Sequence, residues 1–369
     1  MAKRILFFLK EYDNYSQIFS EYLKIFNEQG FQTRVFDFTK NYQSKNKLAY
    51  AISIIKEIKR FKPDVIYIGD EFFSKNVFLV VLLRKLFFFK YNIIALVASQ
   101  YIPQNSFVNG IKSRFLLSNI SILFCRNKEE YKKIKQLRAF KNYQGLTQIY
   151  LGIPEKFFHK INQPRRQILA KLSVQKNDAD VKGKYILGFA GRIVPEKGLM
   201  LLLEALERLP DNFAVLLAQR IDDHNLDYYG KVNSFIESNK LVKRIIWIDN
   251  LDNDDIKYLY NAADLMIMPT TTKYDGFLEL FGSVIAESML CQTLVIGSDN
   301  GSIPEVIDNP KFIFKQNDVN DMVRVINFVY QLKSGERQKV VENNYQKALQ
   351  DYSDTAFVST IIKAIHFTT

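Results

Sequence analysis

Cysteine, histidine and long apolar runs are scarce in this chain of 369 residues, which holds two cysteines and three histidines. Cys125 and Cys291 stand alone among apolar residues, so they suggest buried thiols rather than a zinc site or a disulfide framework. The longest apolar run, residues 77–83, is far shorter than the roughly 20 residues that a membrane-spanning helix needs. Lys10 interrupts the first apolar stretch too early for a signal peptide. We therefore expect a cytoplasmic protein.

The composition is that of a globular protein with an uneven charge distribution. Apolar residues make up 47% and charged residues 24%, and the length favours two domains. The net charge is +12, and residues 1–160 hold 27 basic against 12 acidic residues. A basic domain attracts anions, which leaves lipid headgroups, lipid-linked pyrophosphates and nucleic acid open as partners. No motif for reading DNA or RNA is present, so no nucleic-acid partner is expected.

Short runs of β-branched and aromatic residues alternate with helical patterns along the chain. The predicted strands are ILFFL, QTRVFDF, DVIYIG, NIIALVA and ISILFC, then YILGFAG, NFAVLLAQ, RIIWID, DLMIMP and TLVIGS. This alternation predicts an α/β protein of two tandem Rossmann-like, doubly wound domains facing a cleft, with ligands at the carboxyl ends of the strands. A polar stretch at 161–184 separates the two series. We place the domains at 1–165 and 166–350, followed by a C-terminal helix in 351–369.

A corner containing glycine follows the first strand of the second series. In GFAGRIVPEKG, Gly191, Arg192 and Lys197 lie between that strand and a helix predicted from residue 198, and Pro195 suits a first helical position. Free N–H groups at a helix start, beside two cations, form a site for a diphosphate. An ordinary solvated turn has the same residues, so the motif alone leaves both interpretations open.

Two glutamates separated by seven residues follow the strand DLMIMP. Glu279 lies in the loop after the strand, and Phe281 and Gly282 open the next helix. Glu287 falls within that apolar helix, where an unpaired carboxylate is unfavourable, so it needs a hydrogen-bond donor. Ribose hydroxyls are suitable donors. A buried arginine or backbone amide is the structural alternative for Glu287, and a solvated loop position is the alternative for Glu279.

Four segments within residues 189–307 together resemble glycosyltransferase family 4: GRIVPEKG, RIIWIDNLDNDDIKYLYNAADLMIMP, ELFGSVIAE and GSIPEVI. The resemblance implies a retaining GT-B enzyme without cofactor or metal. It would move a sugar from a UDP- or GDP-linked donor to a glycan or polyprenyl-linked acceptor in cell-surface polysaccharide synthesis. Arg192 and Lys197 would bind the donor's β-phosphate, Glu279 the sugar hydroxyls and Glu287 the ribose. The other implied donor contacts are Gly191, Leu251, Leu280, Phe281 and Gly282. The C-terminal helix would pack across both lobes.

The first half departs from that family. The segment after its first strand, KEYDNYSQ, contains no glycine. Ser99 or Gln100, assigned to the acceptor side, stands where many members have a histidine near the reacting sugar. Two other functions therefore stay open, a nucleotide-sugar epimerase of the same fold and a non-catalytic partner subunit that binds nucleotide sugar. The stretch LLRKLFFFKYN, residues 82–92, is interpreted as a buried helix that leads into the next strand, with a membrane-interface face as the alternative. Many members of the family act on lipid-linked acceptors, so the resemblance implies a peripheral position of the basic N-terminal domain on the anionic inner leaflet of the cytoplasmic membrane.

Overall fold

The computed structural model describes residues 3–10, 16–42, 47–98, 107–172, 182–218, 225–248, 251, 255–274 and 276–367. The chain forms two compact units: unit 1 comprises Met1–Pro154 and Asp354–Thr369, and unit 2 comprises Glu155–Ser353. The contacts thus divide the chain after Pro154 and after Ser353, where the sequence analysis places limits at 165 and 350. No helix within the described ranges is long and apolar enough to cross a lipid bilayer.

Unit 1 is a parallel sheet with helices around it. Its strands among the described residues are β1 (Arg4–Leu9), β2 (Gln32–Asp37), β3 (Val65–Glu71), β4 (Asn92–Leu96), β5 (Ile122–Cys125) and β6 (Leu146–Gln148). Its helices there are α1 (Ser16–Glu28), α2 (Phe38–Tyr42), α3 (Lys47–Phe61), α4 (Lys75–Leu86), α5 (Phe107–Leu117), α6 (Lys128–Gln136) and, from the end of the chain, α15 (Asp354–Phe367). The strand order is β2-β1-β3-β4-β5-β6.

Both faces of the unit 1 sheet are buried along β1, β4 and β5, because these strands are apolar at nearly every position. Leu6 and Phe8 point into one core and Ile5 and Phe7 into the other, as the two-residue period of a strand requires. Residues of α15, among them Phe357, complete the second core. The C-terminal helix therefore packs on unit 1, while its predicted packing across a second lobe stays a prediction.

Unit 2 repeats the arrangement. Its strands in the described part are β7 (Tyr185–Phe189), β8 (Phe213–Ala218), β9 (Ile245–Ile248), β10 (Leu265–Met268), β11 (Leu294–Ser298) and β12 (Ile313–Phe314). Its α-helices there are α7 (Arg165–Leu169), α8 (Leu199–Arg208), α9 (Leu226–Ser238), α10 (Ile256–Ala262), α11 (Ser283–Leu290), α12 (Ile303–Ile307), α13 (Val319–Tyr330) and α14 (Ser334–Lys347). Short 3₁₀ turns span Pro195–Lys197, Val242–Arg244 and Pro310–Phe312, and a π-helical turn spans Ala348–Tyr352.

The strand order of unit 2, β12-β11-β10-β7-β8-β9, decides which loops meet. The chain runs outward from β7 to β8 and β9, then returns to place β10 against the other edge of β7. β11 pairs with β10 in turn. The loops after β7, β10 and β11 are therefore neighbours at the point where the strand order reverses, which is where doubly wound sheets bind ligands.

The two tandem doubly wound domains are confirmed, and all ten predicted strands are present. The sequence analysis missed β6 and β12, because strands of three and two residues are too short to show a period. Cys125 and Cys291 are both buried and form no disulfide bond.

The predicted start of the helix after β7 is corrected by Gly198. This residue has a left-handed backbone (φ 73°), and α8 begins only after it, at Leu199. Pro195 is the first residue of the separate turn Pro195–Lys197 instead. A Cβ at position 198 would lie 1.9 Å from the carbonyl oxygen of Pro269. Glycine thus allows the loops after β7 and β10 to approach each other closely.

The buried-helix interpretation of residues 82–92 is wrong at its centre. Helix α4 ends at Leu86, and the side chains of Leu86, Phe87 and Phe88 are 61%, 45% and 86% exposed. Burial resumes only at Tyr91. An apolar run predicts burial by its composition, but α4 ends within this run, and its last residue and the two that follow lie at the surface.

Candidate functional site

The loops after β7, β10 and β11 form one cluster in unit 2. The backbone N–H of Thr271, after β10, donates to the carbonyl oxygen of Glu196, after β7, at 2.9 Å. The hydroxyl of Ser298, at the end of β11, donates to the carbonyl oxygen of Thr270 at 2.6 Å. These hydrogen bonds between loops fix the positions of the predicted site residues relative to one another.

Lys197 and Glu279 meet at the centre of this cluster. The Lys197 Nζ lies 2.7 Å from the Glu279 Oε2, and the two side chains are only 19% and 13% exposed. The same ammonium lies 4.9 Å from the centre of the Phe277 ring. A lysine ammonium has three donors, so Lys197 can bind Glu279 and still donate to an anion. Lys197 and Glu279 are 82 positions apart in sequence, and the fold brings them into direct contact.

The backbone of Glu279 is held from both sides by the loop after β11. The side-chain oxygen of Asn300 accepts the N–H of Glu279 at 2.8 Å, and the N–H of Ser302 donates to its carbonyl oxygen at 2.8 Å. Between them, Gly301 (φ 53°) passes so close that a Cβ there would lie 2.2 Å from that oxygen. Asn300 is fully buried and also donates to the carbonyl of Phe277 at 3.0 Å. The carboxylate of Glu279 is therefore presented by a fixed backbone.

Helix α11 begins immediately after this loop. Gly282 precedes it with a left-handed backbone (φ 69°), and the helix runs from Ser283 to Leu290. Phe281 is buried and its ring packs edge-on against Tyr352 at 5.5 Å, while Leu280 is half-buried. The first N–H groups of a helix lack intrahelical partners and carry a partial positive charge. Glu279 and Lys197 thus lie close to a backbone that favours anions.

Glu287 has a partner within the protein. The hydroxyl of the fully buried Tyr260 on α10 donates to its Oε2, and the hydroxyl of Ser283 gives a second hydrogen bond. Burial raises the pKa of the Glu287 carboxyl above its ordinary value of 4.5, and these hydrogen bonds oppose the rise. A tyrosine supplies the donor that the sequence analysis sought in ribose, an arginine or a backbone amide. Ribose binding by Glu287 stays a prediction.

Arg192 and Gly191 lie on the loop after β7. The side chain of Arg192 is 49% exposed, and its Nη2 is 3.6 Å from the Oε1 of Glu196. Gly191 is half-buried, and Lys197 is part of its surroundings, with the Cγ of that lysine 4.0 Å from a Cβ built there. Arg192, Gly191 and Lys197 therefore occupy one loop, as predicted from the motif. Leu251 is half-buried between residues that are not described, and Ser99 and Gln100 lie outside the described residues.

Sequence reasoning missed Asn300 and Tyr260. Asn300 lies in SDNGSIPEVI, next to the quoted GSIPEVI, but an asparagine beside a glycine indicates only a turn. Tyr260 lies in the apolar pattern of α10, where it counts as a core residue. Neither role is visible until the chain has folded, because each depends on a contact between separate loops or helices.

A second polar cluster was missed at the carboxyl end of the unit 1 sheet. A register shift between Ile68 and Glu71 interrupts the pairing of β3 with β4, and such bulges often lie beside active sites. The Oε1 of Glu71 is 3.7 Å from the Nη2 of Arg126, at the end of β5, whereas its Oε2 is buried without a hydrogen-bond partner. Burial raises the pKa of this carboxyl. In the sequence, the two acids of GDE directly after the apolar run DVIYI were the signal that could have revealed this cluster.

Comparison with known proteins bears on the same region. Residues 173–347 match the family model for glycosyl transferases group 1. Alpha-maltose-1-phosphate synthase of Mycolicibacterium smegmatis is 30% identical over 162 residues, which are 43% of this chain and 38% of that protein. The matched segment thus spans well under half the length of this curated relative.

Solved structures resemble the whole chain in fold. A glycosyltransferase from Rickettsia africae superimposes with a TM-score of 0.81 at 18% identity, covering 100% of this chain and 98% of that one. Anabaena HepE in complex with UDP gives a TM-score of 0.75 at 16% identity, with 100% of each chain covered. The two doubly wound units have the GT-B fold, and the polar cluster lies where the strand order of unit 2 reverses. Residues 173–347 therefore carry the region shared by glycosyl transferases group 1, and the chain as a whole has the fold of these solved structures.

Proposed function

We propose that the protein is a retaining glycosyltransferase that takes a sugar from a nucleoside-diphosphate donor, UDP- or GDP-linked, and passes it to a glycan or polyprenyl-linked acceptor. The observation that carries this proposal is the Lys197–Glu279 pair beside the start of α11. It combines a cation for the diphosphate with a carboxylate for sugar hydroxyls. A role in cell-surface polysaccharide synthesis is proposed with it.

The chemistry that these residues would perform is electrostatic. As the glycosidic bond breaks, negative charge grows on the leaving diphosphate and positive charge on the sugar ring. Lys197, Arg192 and the N–H groups at the start of α11 stabilise the diphosphate, and the carboxylate of Glu279 orients the sugar through its hydroxyls. Glu287 would bind the ribose through its carboxylate, beside the hydrogen bonds from Tyr260 and Ser283. In this mechanism the basic groups replace a metal ion.

On the acceptor side, the proposal rests on Glu71 and Arg126 of unit 1. A carboxylate next to a guanidinium offers both acceptors and donors, which suits the hydroxyls of a sugar acceptor. The buried Oε2 of Glu71 has no hydrogen-bond partner and would gain one from an acceptor hydroxyl after a small side-chain movement. Ser99 and Gln100 stay candidates for the same side.

The decisive experiment measures release of UDP or GDP from a panel of nucleotide sugars, with and without candidate acceptors. Acceptor-dependent release is expected, and it should drop by about 100-fold or more in Lys197→Ala, in line with removal of one donor to a developing charge. Lys231→Ala, an exposed lysine on α9, is the matched control. The anomeric configuration of the product tests retention, and an assay with EDTA tests independence from metal.

Two results would favour the alternative functions, an epimerase or a non-catalytic subunit, over this proposal. Conversion of the donor to an epimer without any acceptor would assign an epimerase. Binding of donor by calorimetry with no turnover over the whole panel of acceptors would assign a non-catalytic subunit. Full activity in Glu279→Ala, with Glu237→Ala on α9 as control, would remove Glu279 from the mechanism.

A further inference from the structure

The surface at the ends of α3 and α4 exposes an aromatic cluster that unit 1 does not cover. Leu86, Phe87 and Phe88 are consecutive and 61%, 45% and 86% exposed. Single exposed apolar residues are ordinary, but a contiguous group of large ones marks an interaction site. We call Leu86, Phe87 and Phe88 the aromatic tip.

The aromatic tip is held in place rather than loosely attached. The Phe87 ring stacks on Phe89 at 5.8 Å, and Phe89 stacks on the buried Tyr91 at 6.1 Å. The guanidinium of Arg84 lies over Tyr91 at 5.8 Å, and its Nη1 donates to the carbonyl oxygen of Asn119 at 2.7 Å. Phe88 has a left-handed backbone (φ 53°), which is uncommon for a bulky residue. Exposure of the tip is therefore built into the fold.

Cations accompany the aromatic tip, one of them in contact with it and others close to it in sequence or on the end of α3. Lys59, at the end of α3, places its Nζ 5.9 Å from the centre of the Phe87 ring. The exposed cations within residues 56–62 and 85–90 are Lys56, Lys59, Arg60, Lys62, Lys85 and Lys90. The acids nearest in sequence, Glu57 and Asp64, are paired with Arg34 and Arg4 of the sheet. The surface thus carries a concentrated positive charge around apolar side chains.

Helix α3 extends this surface. Leu48 and Ile52 are 68% and 41% exposed and lie on the same helix face as Lys59, since positions four and then seven residues apart share one face. At 1.5 Å per residue, the stripe from Leu48 to Lys59 is about 16 Å long. It ends against Phe87 of the aromatic tip.

We infer that the aromatic tip and the α3 stripe dock on an anionic lipid membrane. Apolar rings insert at the level of the headgroups while lysine stems remain beside them and their ammonium groups meet lipid phosphates. The abundance of lysine favours lipid over a protein partner, because the cores of protein interfaces are depleted in lysine. This inference does not depend on the proposed transfer reaction, since membrane binding is measured without substrate.

The test is co-sedimentation of the full chain with vesicles of phosphatidylcholine alone or containing phosphatidylglycerol. Binding only to the anionic vesicles is expected, and Phe87→Ser with Phe88→Ser should weaken it about tenfold or more. Phe367→Ser, which changes another exposed phenylalanine of unit 1, should leave binding unchanged. Lys85→Glu with Lys90→Glu should weaken binding by a similar factor, whereas the same double charge change at Lys132 and Lys141 should weaken it less.

Three results would overturn the inference. The first is equal binding of wild type and the phenylalanine variant to anionic vesicles. The second is equal binding to neutral and anionic vesicles. The third is a concentration-dependent dimer, measured by sedimentation velocity, that the phenylalanine substitutions abolish, because the tip would then pair with a second copy of the chain. Because the substituted residues are exposed, unchanged thermal unfolding is expected, and it separates loss of binding from loss of fold.

Discussion

The side-chain oxygen of Asn300 accepts the backbone N–H of Glu279 at 2.8 Å, across 21 positions of sequence. The second side-chain group of Asn300 donates to Phe277 at 3.0 Å, so one buried amide fixes the loop on both sides of Leu278. The position of the proposed sugar-binding carboxylate of Glu279 therefore depends on Asn300, to which the proposed mechanism gives no contact with the donor.

Asn300→Ala should destabilise the protein and misplace Glu279. Leaving a buried N–H and a buried carbonyl without partners costs about 1–3 kcal/mol each. The free energy of unfolding should fall accordingly, and kcat should fall more than the affinity for the donor, because binding through Lys197 is retained. Denaturant unfolding and steady-state kinetics measure the two effects. Asn309→Ala, which removes the cap of the turn Pro310–Phe312, is a control that should leave kcat unchanged.

A double-mutant cycle on Lys197 and Glu279 should give a large coupling energy. Both side chains are mostly buried, so Lys197→Met and Glu279→Gln alone each leave an unpaired group, and the double variant should recover about 1–3 kcal/mol of the summed losses. The exposed pair Lys133–Glu129 on α6 should show a coupling of only about 0.3–0.5 kcal/mol. Additive losses for Lys197 and Glu279 would mean that their contact contributes nothing to stability.

Gly301→Ala should be strongly destabilising, whereas Gly230→Ala should not. At Gly301 the left-handed backbone penalises a side chain by roughly 1–2 kcal/mol, and the new Cβ would also displace the carbonyl of Glu279. Gly230 lies within α9 with no atom within 4 Å of a new Cβ, so alanine should stabilise that helix by up to about 1 kcal/mol. Melting temperatures of the two variants test this contrast, and similar values would contradict it.

The raised pKa of Glu287 makes stability depend on pH. A carboxyl whose pKa is higher in the folded than in the unfolded chain binds more protons when folded. Its contribution is therefore complete below its ordinary pKa of 4.5 and is lost as pH rises through the higher folded value. Glu287→Gln should remove this loss, so the variant gains stability relative to wild type as pH increases from about 4.5. Melting curves over pH, with the exposed Glu237→Gln as control, measure the difference; parallel curves would refute it.

Glu71→Gln should affect the acceptor and not the donor. If Glu71 binds an acceptor hydroxyl, removing its charge raises KM for the acceptor while KM for the nucleotide sugar stays the same. Glu129→Gln, at an exposed position of α6, is the matched control within unit 1. An unchanged acceptor KM, or equal changes for both substrates, would mean that the Glu71–Arg126 pair is structural only.

The residues that line the proposed donor site were predictable from the sequence, but their contacts with one another were not. The corner GFAGRIVPEKG and the glutamates of ELFGSVIAE were recognisable because glycines, a helix start and charges at fixed spacing need only local sequence. That Lys197 pairs with Glu279, and Glu287 with Tyr260, required the sheet order that sets β7, β10 and β11 side by side. The partner of a buried carboxylate is chosen by three-dimensional neighbours.

The sequence by itself determined the doubly wound architecture, because apolar strands and amphipathic helices have periods that can be read along the chain. The sequence also identified the loops after β7 and β10 as those that carry the charged residues of the proposed donor site. Only the tertiary structure decided that Asn300 and Gly301 hold the backbone of Glu279, and that an apolar run at residues 86–88 is exposed instead of buried. Periodicity records which face of an element is apolar, whereas pairing across loops and the point at which a helix ends depend on the packing of distant segments.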